Sequence, residues 1–149
     1  MWPRVDGLRA MELGTSGELR QKLNALVLSG HKQATAGLLE HDYEAESETL
    51  ENVGEHLALL DDHGTNLAEL EVTAAEIVPM RDVTWTFAQA EGEGFRSITH
   101  WREAHTRYWA RQGHPVDDDT SIVCLWFRLA TQPPRRSWRT RPGSRAGPA

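Results

Sequence analysis

Apolar residues near the start of the chain recur at the spacing of a helix. Between residues 19 and 27 they lie at i, i+4, i+7 and i+8, which places them on one helix face. Thr15 and Glu18 have the spacing of a capping box, and Gly30 is typical of a helix end. The pattern therefore predicts a first helix over residues 16–29.

The apolar pattern then changes to that of strands. Residues 34–39 ("ATAGLL") predict a short strand, and residues 56–60 ("HLALL") predict a second one. After a turn at "DDHG", residues 67–78 alternate well enough to predict a long strand that pairs with the second. The acidic and polar residues 42–52 predict a loop between the first two strands.

Helical spacing returns in the second half of the chain. Residues 82–91 predict a short helix with Asp82 near its N-terminal cap. Ser97 can cap a third helix over residues 97–112. Residues 121–130 ("SIVCLWFRLA") are rich in β-branched and aromatic residues and predict a final strand.

This order of elements predicts an α+β fold. A helix and a strand precede a hairpin, and two helices precede a returning strand, so the sheet is expected to be mostly antiparallel. We expect it to curl into a small barrel with about three flanking helices. The 149 residues, 39% of them hydrophobic and 26% charged, are enough for one ordinary domain with its own core.

Composition narrows the class of protein further. No apolar run approaches the roughly 20 residues of a membrane span, and the start of the chain lacks the apolar stretch of a signal peptide. The single cysteine, Cys124, cannot form an internal disulfide, which favours a reducing cytoplasm. Because Cys124 lies within an apolar strand, it is interpreted as a small buried hydrophobe.

Charge divides the chain into a body and a tail. Residues 1–130 hold all 22 acidic residues, whereas residues 131–149 hold five arginines and no acidic residue. We interpret residues 1–130 as the domain and residues 131–149 as a disordered extension, because the tail has too few apolar residues to order itself. The alternative is an arm that tethers nucleic acid. The acidic body argues against non-specific DNA binding.

Lys32 is the first candidate for chemistry, since it is one of only two lysines in the chain. A desolvated lysine can lose its proton and act as a base, which arginine cannot do. Thr35 follows three residues later, and its hydroxyl becomes a nucleophile when a neighbouring base takes its proton. The simpler alternative is a surface lysine beside a strand threonine.

The stretch "EGEG" at residues 91–94 is the second candidate, because carboxylates are mildly unfavourable at the end of a helix. Glu91 is expected either to pair with Lys32 or to move protons in a site. Glu93 is expected to be an exposed loop acid.

Aromatic residues and histidines complete the candidates. Four tryptophans fall in predicted elements and are interpreted mostly as core, with stacking on a nucleobase as the alternative. Trp101 and His105, four residues apart, are expected at the edge of a pocket. The seven histidines show no spacing of a metal site, so no metal or cofactor is expected.

Several of these motifs, taken in order, resemble the ASCH domain family, a relative of the PUA fold. The matching residues are Gly30-x-Lys32-x-x-Thr35, Val53-Gly54, "EVTAAEIVPM", "FAQAEGEG", "WREAH" at 101–105 and "IVCLWF" at 122–127. The resemblance covers about residues 12–129. It implies a PUA-like fold and a cleft of the size of a nucleotide.

The resemblance also implies three functional classes, which remain open. Some members are amidohydrolases of N4-acetylcytidine, and their catalytic lysine, threonine and glutamate fall here on Lys32, Thr35 and Glu91. Another member is linked to ribonuclease activity, for which Lys32 would act with Tyr43 and with Ser97 or Ser121. The third class is a non-catalytic RNA binder in which Lys32 holds a phosphate.

The expected ligand is thus a modified nucleoside or single-stranded RNA. The expected substrate-binding residues are Gly30, His31, Tyr43, Ser97, Trp101 and His105. Backbone N–H groups near residues 30–35 are the candidates for an oxyanion hole. Neither a membrane nor a metal ion is expected as a partner, and the oligomeric state is left open.

Overall fold

A computed structural model of the chain describes residues 1–130, which form a six-stranded sheet with helices packed against it. The predictions for the tail at residues 131–149 lie outside the described residues. The strands are β1 (Arg4–Val5), β2 (Leu8–Met11), β3 (Ala34–Leu38), β4 (His56–Leu60), β5 (Asn66–Pro79) and β6 (Ser121–Leu129). The helices are α1 (Glu18–Leu28), α2 (Trp85–Ala90) and α3 (Ile98–Arg111).

The sheet has the order β1-β2-β4-β5-β6-β3. Within the described part of the chain, only β2 and β4 pair in parallel, and the other four pairings are antiparallel. The prediction of an α+β, mostly antiparallel fold is therefore confirmed. Between β1 and β3 the described residues form no ladder, so the curled sheet stays open instead of closing into a barrel.

Strand β6 lies between β5 and β3, and its residues alternate between two apolar clusters. Ile122 and Cys124 pack with α2 and α3, whereas Leu125 and Phe127 pack with α1. Cys124 is a small buried hydrophobe as predicted, and burial raises the pKa of its thiol to about 12. The helices are thus held on opposite faces of one sheet.

All four tryptophans of the predicted elements belong to the cluster on the α2 and α3 face. Trp101 and Trp109 are buried, and Trp85 and Trp126 pack against them partly buried. The interpretation of the tryptophans as core residues is therefore confirmed.

Helix starts show where local signals decide the structure. Ser97 caps α3 as predicted, because its Oγ accepts from the His100 N–H at 3.0 Å. Thr84, and not Asp82, caps α2. The predicted capping box of α1 does not form; Gly17 is the capping residue, and its N–H donates to Asp62 on a distant turn.

The acidic segment after β3 is more ordered than a loop. A π-helical turn covers Leu39–Tyr43, and a 3-10 turn covers Glu44–Glu46. Asp42 holds the first turn by accepting from the Leu38 N–H at 2.7 Å. This turn brings the Tyr43 ring back against β3, where a Cβ added at Gly37 would lie only 3.3 Å from it.

None of the helices within residues 1–130 combines the length and the apolar character that crossing a membrane requires.

Candidate functional site

A cavity of about 860 Å³ opens between α1, α3, β3 and the N-terminal segment. Its volume is within the range of small-molecule sites in proteins, roughly 300–1,000 Å³. Five of the predicted site residues line it, namely Lys32, Thr35, Tyr43, Glu91 and His105. The structure therefore brings together side chains from four separate parts of the sequence.

Close contact between two backbone segments places Lys32 beside the "EGEG" stretch. The Lys32 N–H donates to Leu26 O at the end of α1, and the Gln33 N–H donates to Ala90 O at 2.7 Å. Gly92 has a φ of +68° and presses so closely on His31 that a Cβ there would clash with the His31 carbonyl. Glycine is thus required at residue 92 for the two segments to meet.

Lys32 is a fully partnered ammonium. Its side chain is buried, and Nζ donates to Glu93 Oε2 at 2.6 Å, Glu91 Oε2 at 3.1 Å and the Glu91 carbonyl at 3.5 Å. These three acceptors match the three protons of an ammonium. The alternative of a surface lysine is therefore wrong, and the predicted pairing with Glu91 is confirmed.

Thr35 lines the same cavity from β3. Among the described residues, Thr35 shares no hydrogen bond with Lys32, whose donors all point to the two glutamates. A base role for Lys32 therefore requires that one of these glutamates first take a proton.

Glu91 is fixed by several donors at once. It is 1% exposed, its Oε2 accepts from Lys32, and its Oε1 accepts from the Trp101 indole N–H. His105 Nε2 lies 3.3 Å from the same Oε1. Burial alone would raise the pKa of Glu91, but Lys32, His105 and the Trp101 indole N–H outweigh it and hold that pKa well below its usual range.

His105 is oriented by Trp101. Its ring stacks on the Trp101 ring with centroids 4.1 Å apart, and its Nδ1 donates to the Trp101 carbonyl at 3.0 Å. A carbonyl can only accept, so the proton on Nδ1 is assigned by this contact. Trp101 itself is fully buried and does not line the cavity, so only His105 stands at the predicted pocket edge.

Glu93 is the residue that the sequence prediction placed wrongly. Its side chain is only 20% exposed, lines the cavity and contacts Lys32. Burial and the neighbouring Glu91 charge raise its pKa, despite the opposing effect of Lys32. The glycines on both sides of Glu93 have positive φ, which allows the turn that brings its carboxylate to Lys32.

The remaining predicted residues lie elsewhere. Gly30 and His31 stand at the end of α1 outside the cavity lining, and the Ser97 hydroxyl is used as the cap of α3. Ser121 pairs with Pro79 at the start of β6 and does not line the cavity. The structure therefore brings neither serine of the ribonuclease hypothesis to Lys32.

Glu51 lines the cavity and was missed, because its segment was interpreted as a polar loop. It is 7% exposed, and its carboxylate accepts from the Tyr43 hydroxyl at 2.9 Å. Burial raises the pKa of Glu51 above its ordinary value. Within residues 1–130, no group of three or more His, Cys, Asp or Glu residues is placed to hold a metal ion.

The family model of the ASCH domain matches residues 9–131. The chain belongs to the ASCH domain family. This match confirms the resemblance found in the sequence motifs, and it covers the whole sheet except β1 and the first residue of β2. No curated protein matches the chain.

Solved structures agree with this assignment. The crystal structure of protein EF3133 from Enterococcus faecalis V583 is 34% identical, covers 80% of this chain and 74% of that chain, and has a TM-score of 0.68. The ASCH domain from Lactobacillus crispatus JV V101 is 26% identical, with 80% and 77% covered and a TM-score of 0.66. The hypothetical protein PH0355, at 11% identity and a TM-score of 0.53, shares the fold alone.

Proposed function

We propose that this ASCH domain binds a nucleoside in its cavity and hydrolyses an acyl amide on the base, as in N4-acetylcytidine. The observation that carries the proposal is the meeting of Lys32, Thr35 and two glutamates on one cavity of ligand size. A hydroxyl, a lysine and a carboxyl group supply the nucleophile and the proton transfers that amide hydrolysis needs.

The geometry divides the two glutamates between two roles. Glu91 is anchored by buried donors and serves to hold Lys32 in place. Glu93 lies nearer to solvent, faces the cavity and has a raised pKa, so it is the better proton carrier. In this proposal Glu93 takes over the proton-transfer role that the resemblance assigns to Glu91.

The proposed reaction uses the Glu93 carboxylate, the Lys32 amine and the Thr35 hydroxyl in turn. Glu93 accepts a proton from the Lys32 ammonium, and the resulting amine takes the Thr35 proton while Oγ1 attacks the acetyl carbonyl carbon. The C–N bond breaks as the Glu93 carboxyl protonates the leaving amine. Water then hydrolyses the acetyl ester on Thr35, which releases acetate and restores the hydroxyl.

RNA binding without catalysis is the second candidate function, because ASCH domains are linked to RNA binding. Lys32 itself is a poor phosphate anchor, since its charge is already opposed by Glu91 and Glu93. Arg111 is better placed for this role; it is exposed at the cavity rim and makes no ion pair within residues 1–130. A phosphate of an RNA strand at the rim would contact its guanidinium.

Turnover of N4-acetylcytidine by purified protein, compared with Lys32→Arg, Lys32→Ala and Thr35→Ala, tests the proposal. Arginine keeps the charge but does not give up its proton at neutral pH. We therefore expect each of the three variants to lose at least about a hundredfold in rate. The matched control is Thr73→Ala, which changes an exposed strand threonine outside the cavity lining and should keep normal turnover.

Two results would contradict the hydrolase. Near-normal turnover by Lys32→Arg would remove Lys32 as the base. A wild-type protein that leaves acylated nucleosides intact, but binds short RNA more weakly after Arg111→Ala, would favour the binding function instead.

A further inference from the structure

We propose that Tyr43 and Glu51 form a ribose-recognition subsite in the same cavity, with the Glu51 carboxylate accepting hydrogen bonds from the ribose hydroxyls. This inference rests on the proposed function only in that the ligand is a nucleoside. It assigns the part of the cavity away from Lys32 and explains how a ribonucleoside would be distinguished from a deoxyribonucleoside.

Glu51 is a buried carboxylate with unused acceptor capacity. Its only side-chain donor within residues 1–130 is the Tyr43 hydroxyl, at 2.9 Å from one oxygen and 3.3 Å from the other. A carboxylate can accept about four hydrogen bonds. An under-partnered carboxylate is costly to bury, so its position on a cavity wall indicates a ligand that supplies the missing donors.

Arg9 acts on Glu51 through its charge but shares no hydrogen bond with it among the described residues. Arg9 is engaged by Glu55 through two hydrogen bonds, Nε to Oε2 at 2.7 Å and Nη2 to Oε1 at 2.8 Å. It also donates to the carbonyls of Thr49 and Leu50. The hydrogen-bond donors of Arg9 are therefore already used by other acceptors, and the Glu51 carboxylate is available to uncharged donors.

Strand β3 connects the subsite to the reacting group. Thr35 and Gly37 lie on the same face of β3, about 7 Å apart along the strand. The Tyr43 ring packs over Gly37, in the space that a side chain there would occupy. A nucleoside whose base amide lies at Thr35 can therefore extend its ribose toward Tyr43 and Glu51.

The chemistry of the subsite suits a ribose. A carboxylate accepts hydrogen bonds and donates none, which matches hydroxyl groups and repels phosphates. Acidic side chains bind the ribose 2′-hydroxyl in the same way in dinucleotide sites. Trp2 covers the Tyr43 ring edge-on with centroids 5.0 Å apart, and this shielding from water strengthens a hydrogen bond made there.

Calorimetric binding of cytidine, 2′-deoxycytidine and 3′-deoxycytidine to the full chain tests the inference without any need for turnover. We expect the wild-type protein to bind cytidine about tenfold or more tightly than at least one deoxy analogue, as a hydrogen bond to a charged group implies. Glu51→Gln keeps the shape and should reduce this preference to near one. Glu44→Gln, which changes an exposed glutamate of the same segment outside the cavity lining, is the control and should keep it.

The binding experiment has outcomes that support the ribose subsite and outcomes that overturn it. Equal binding of the three nucleosides by the wild-type protein, no binding of cytidine, or a preference that survives Glu51→Gln would overturn the inference. If the preference depends on Glu51 while N4-acetylcytidine is not hydrolysed, the ribose subsite stands and the proposed hydrolysis fails. The wild-type comparison needs no variant, so it remains decisive even if Glu51→Gln does not fold.

Discussion

The cavity has two ends, and each contains a buried glutamate. At the Lys32 end (Lys32, Thr35, Glu91 and Glu93), Glu91 receives an ammonium and an indole donor and faces an imidazole. At the Tyr43 end (Tyr43 and Glu51), Glu51 receives one hydroxyl. The two residues are similarly buried, yet the pKa of Glu91 is lowered and the pKa of Glu51 is raised.

The difference shows that donors, and not burial, decide whether a buried carboxylate is stabilised as an anion. The charge of Glu91 is compensated by partners within the chain. The charge of Glu51 is compensated only partly, by the hydroxyl of Tyr43. A ligand is therefore expected to contribute binding free energy at the Tyr43 end and to meet a rigid, preorganised group at the Lys32 end.

The largest expected effect follows from removing the cation at the Lys32 end. Lys32→Met keeps most of the volume but leaves Glu91 as an uncompensated buried charge. We expect the free energy of unfolding at pH 7 to fall by about 3–5 kcal/mol, measured by urea denaturation. Adding Glu91→Gln to Lys32→Met should recover much of the loss. A loss below about 1 kcal/mol in the single variant would show that the pair is not buried as described.

A smaller effect is expected from removing one donor of Glu91. Trp101→Phe keeps an aromatic ring in the core but deletes the indole N–H that Glu91 accepts from. We expect a loss of about 1–3 kcal/mol in the free energy of unfolding, as for other buried hydrogen bonds. The matched control is Trp85→Phe, since Trp85 packs in the same cluster without an indole hydrogen bond to this site. Equal losses in the two variants would mean that only packing was changed.

Glu51→Gln should have a much smaller effect on stability at pH 7. The raised pKa of Glu51 shows that the fold disfavours its ionised form. An uncharged amide of the same shape should therefore change the unfolding free energy by less than about 1 kcal/mol or increase it. A large destabilisation would remove the contrast with Glu91, and would assign Glu51 a structural role instead.

The contributions of ionised Glu51 and ionised Glu91 to the free energy of unfolding should change with pH in opposite directions. A raised folded-state pKa means that ionised Glu51 costs stability at neutral pH, and this cost disappears as the pH falls below the ordinary value of about 4.5. The advantage of Glu51→Gln should therefore shrink on acidification. The stabilising effect of ionised Glu91, whose pKa is lowered, is present above about 4.5 and is lost as the pH falls through its folded-state pKa. The measurement is the thermal unfolding temperature of the wild-type protein, Glu51→Gln and Glu91→Gln from pH 7 to pH 3. If the three unfolding temperatures change with pH in parallel, the assignment is wrong.

The sequence by itself determined the features that depend on near neighbours. Ser97 is followed by a helical pattern, so its hydroxyl reaches the His100 N–H without help from the rest of the fold. The β-branched and aromatic residues of the run 121–130 likewise predicted β6 from local sequence alone. The family motifs also pointed to Lys32, Thr35 and Glu91, because residue types and order can be recognised before the chain is folded.

Only the tertiary structure decided which groups meet and how far each is compensated. Lys32 and Glu93 are 61 residues apart, and their contact depends on the close approach of Gly92 to His31. The cap of α1 is completed by a turn 45 residues away. Glu51 became a candidate only when the turn after β3 brought Tyr43 onto Gly37. Burial and hydrogen bonding are set by such distant partners, so no local pattern could have separated Glu51 and Glu93 from the solvated acids around them.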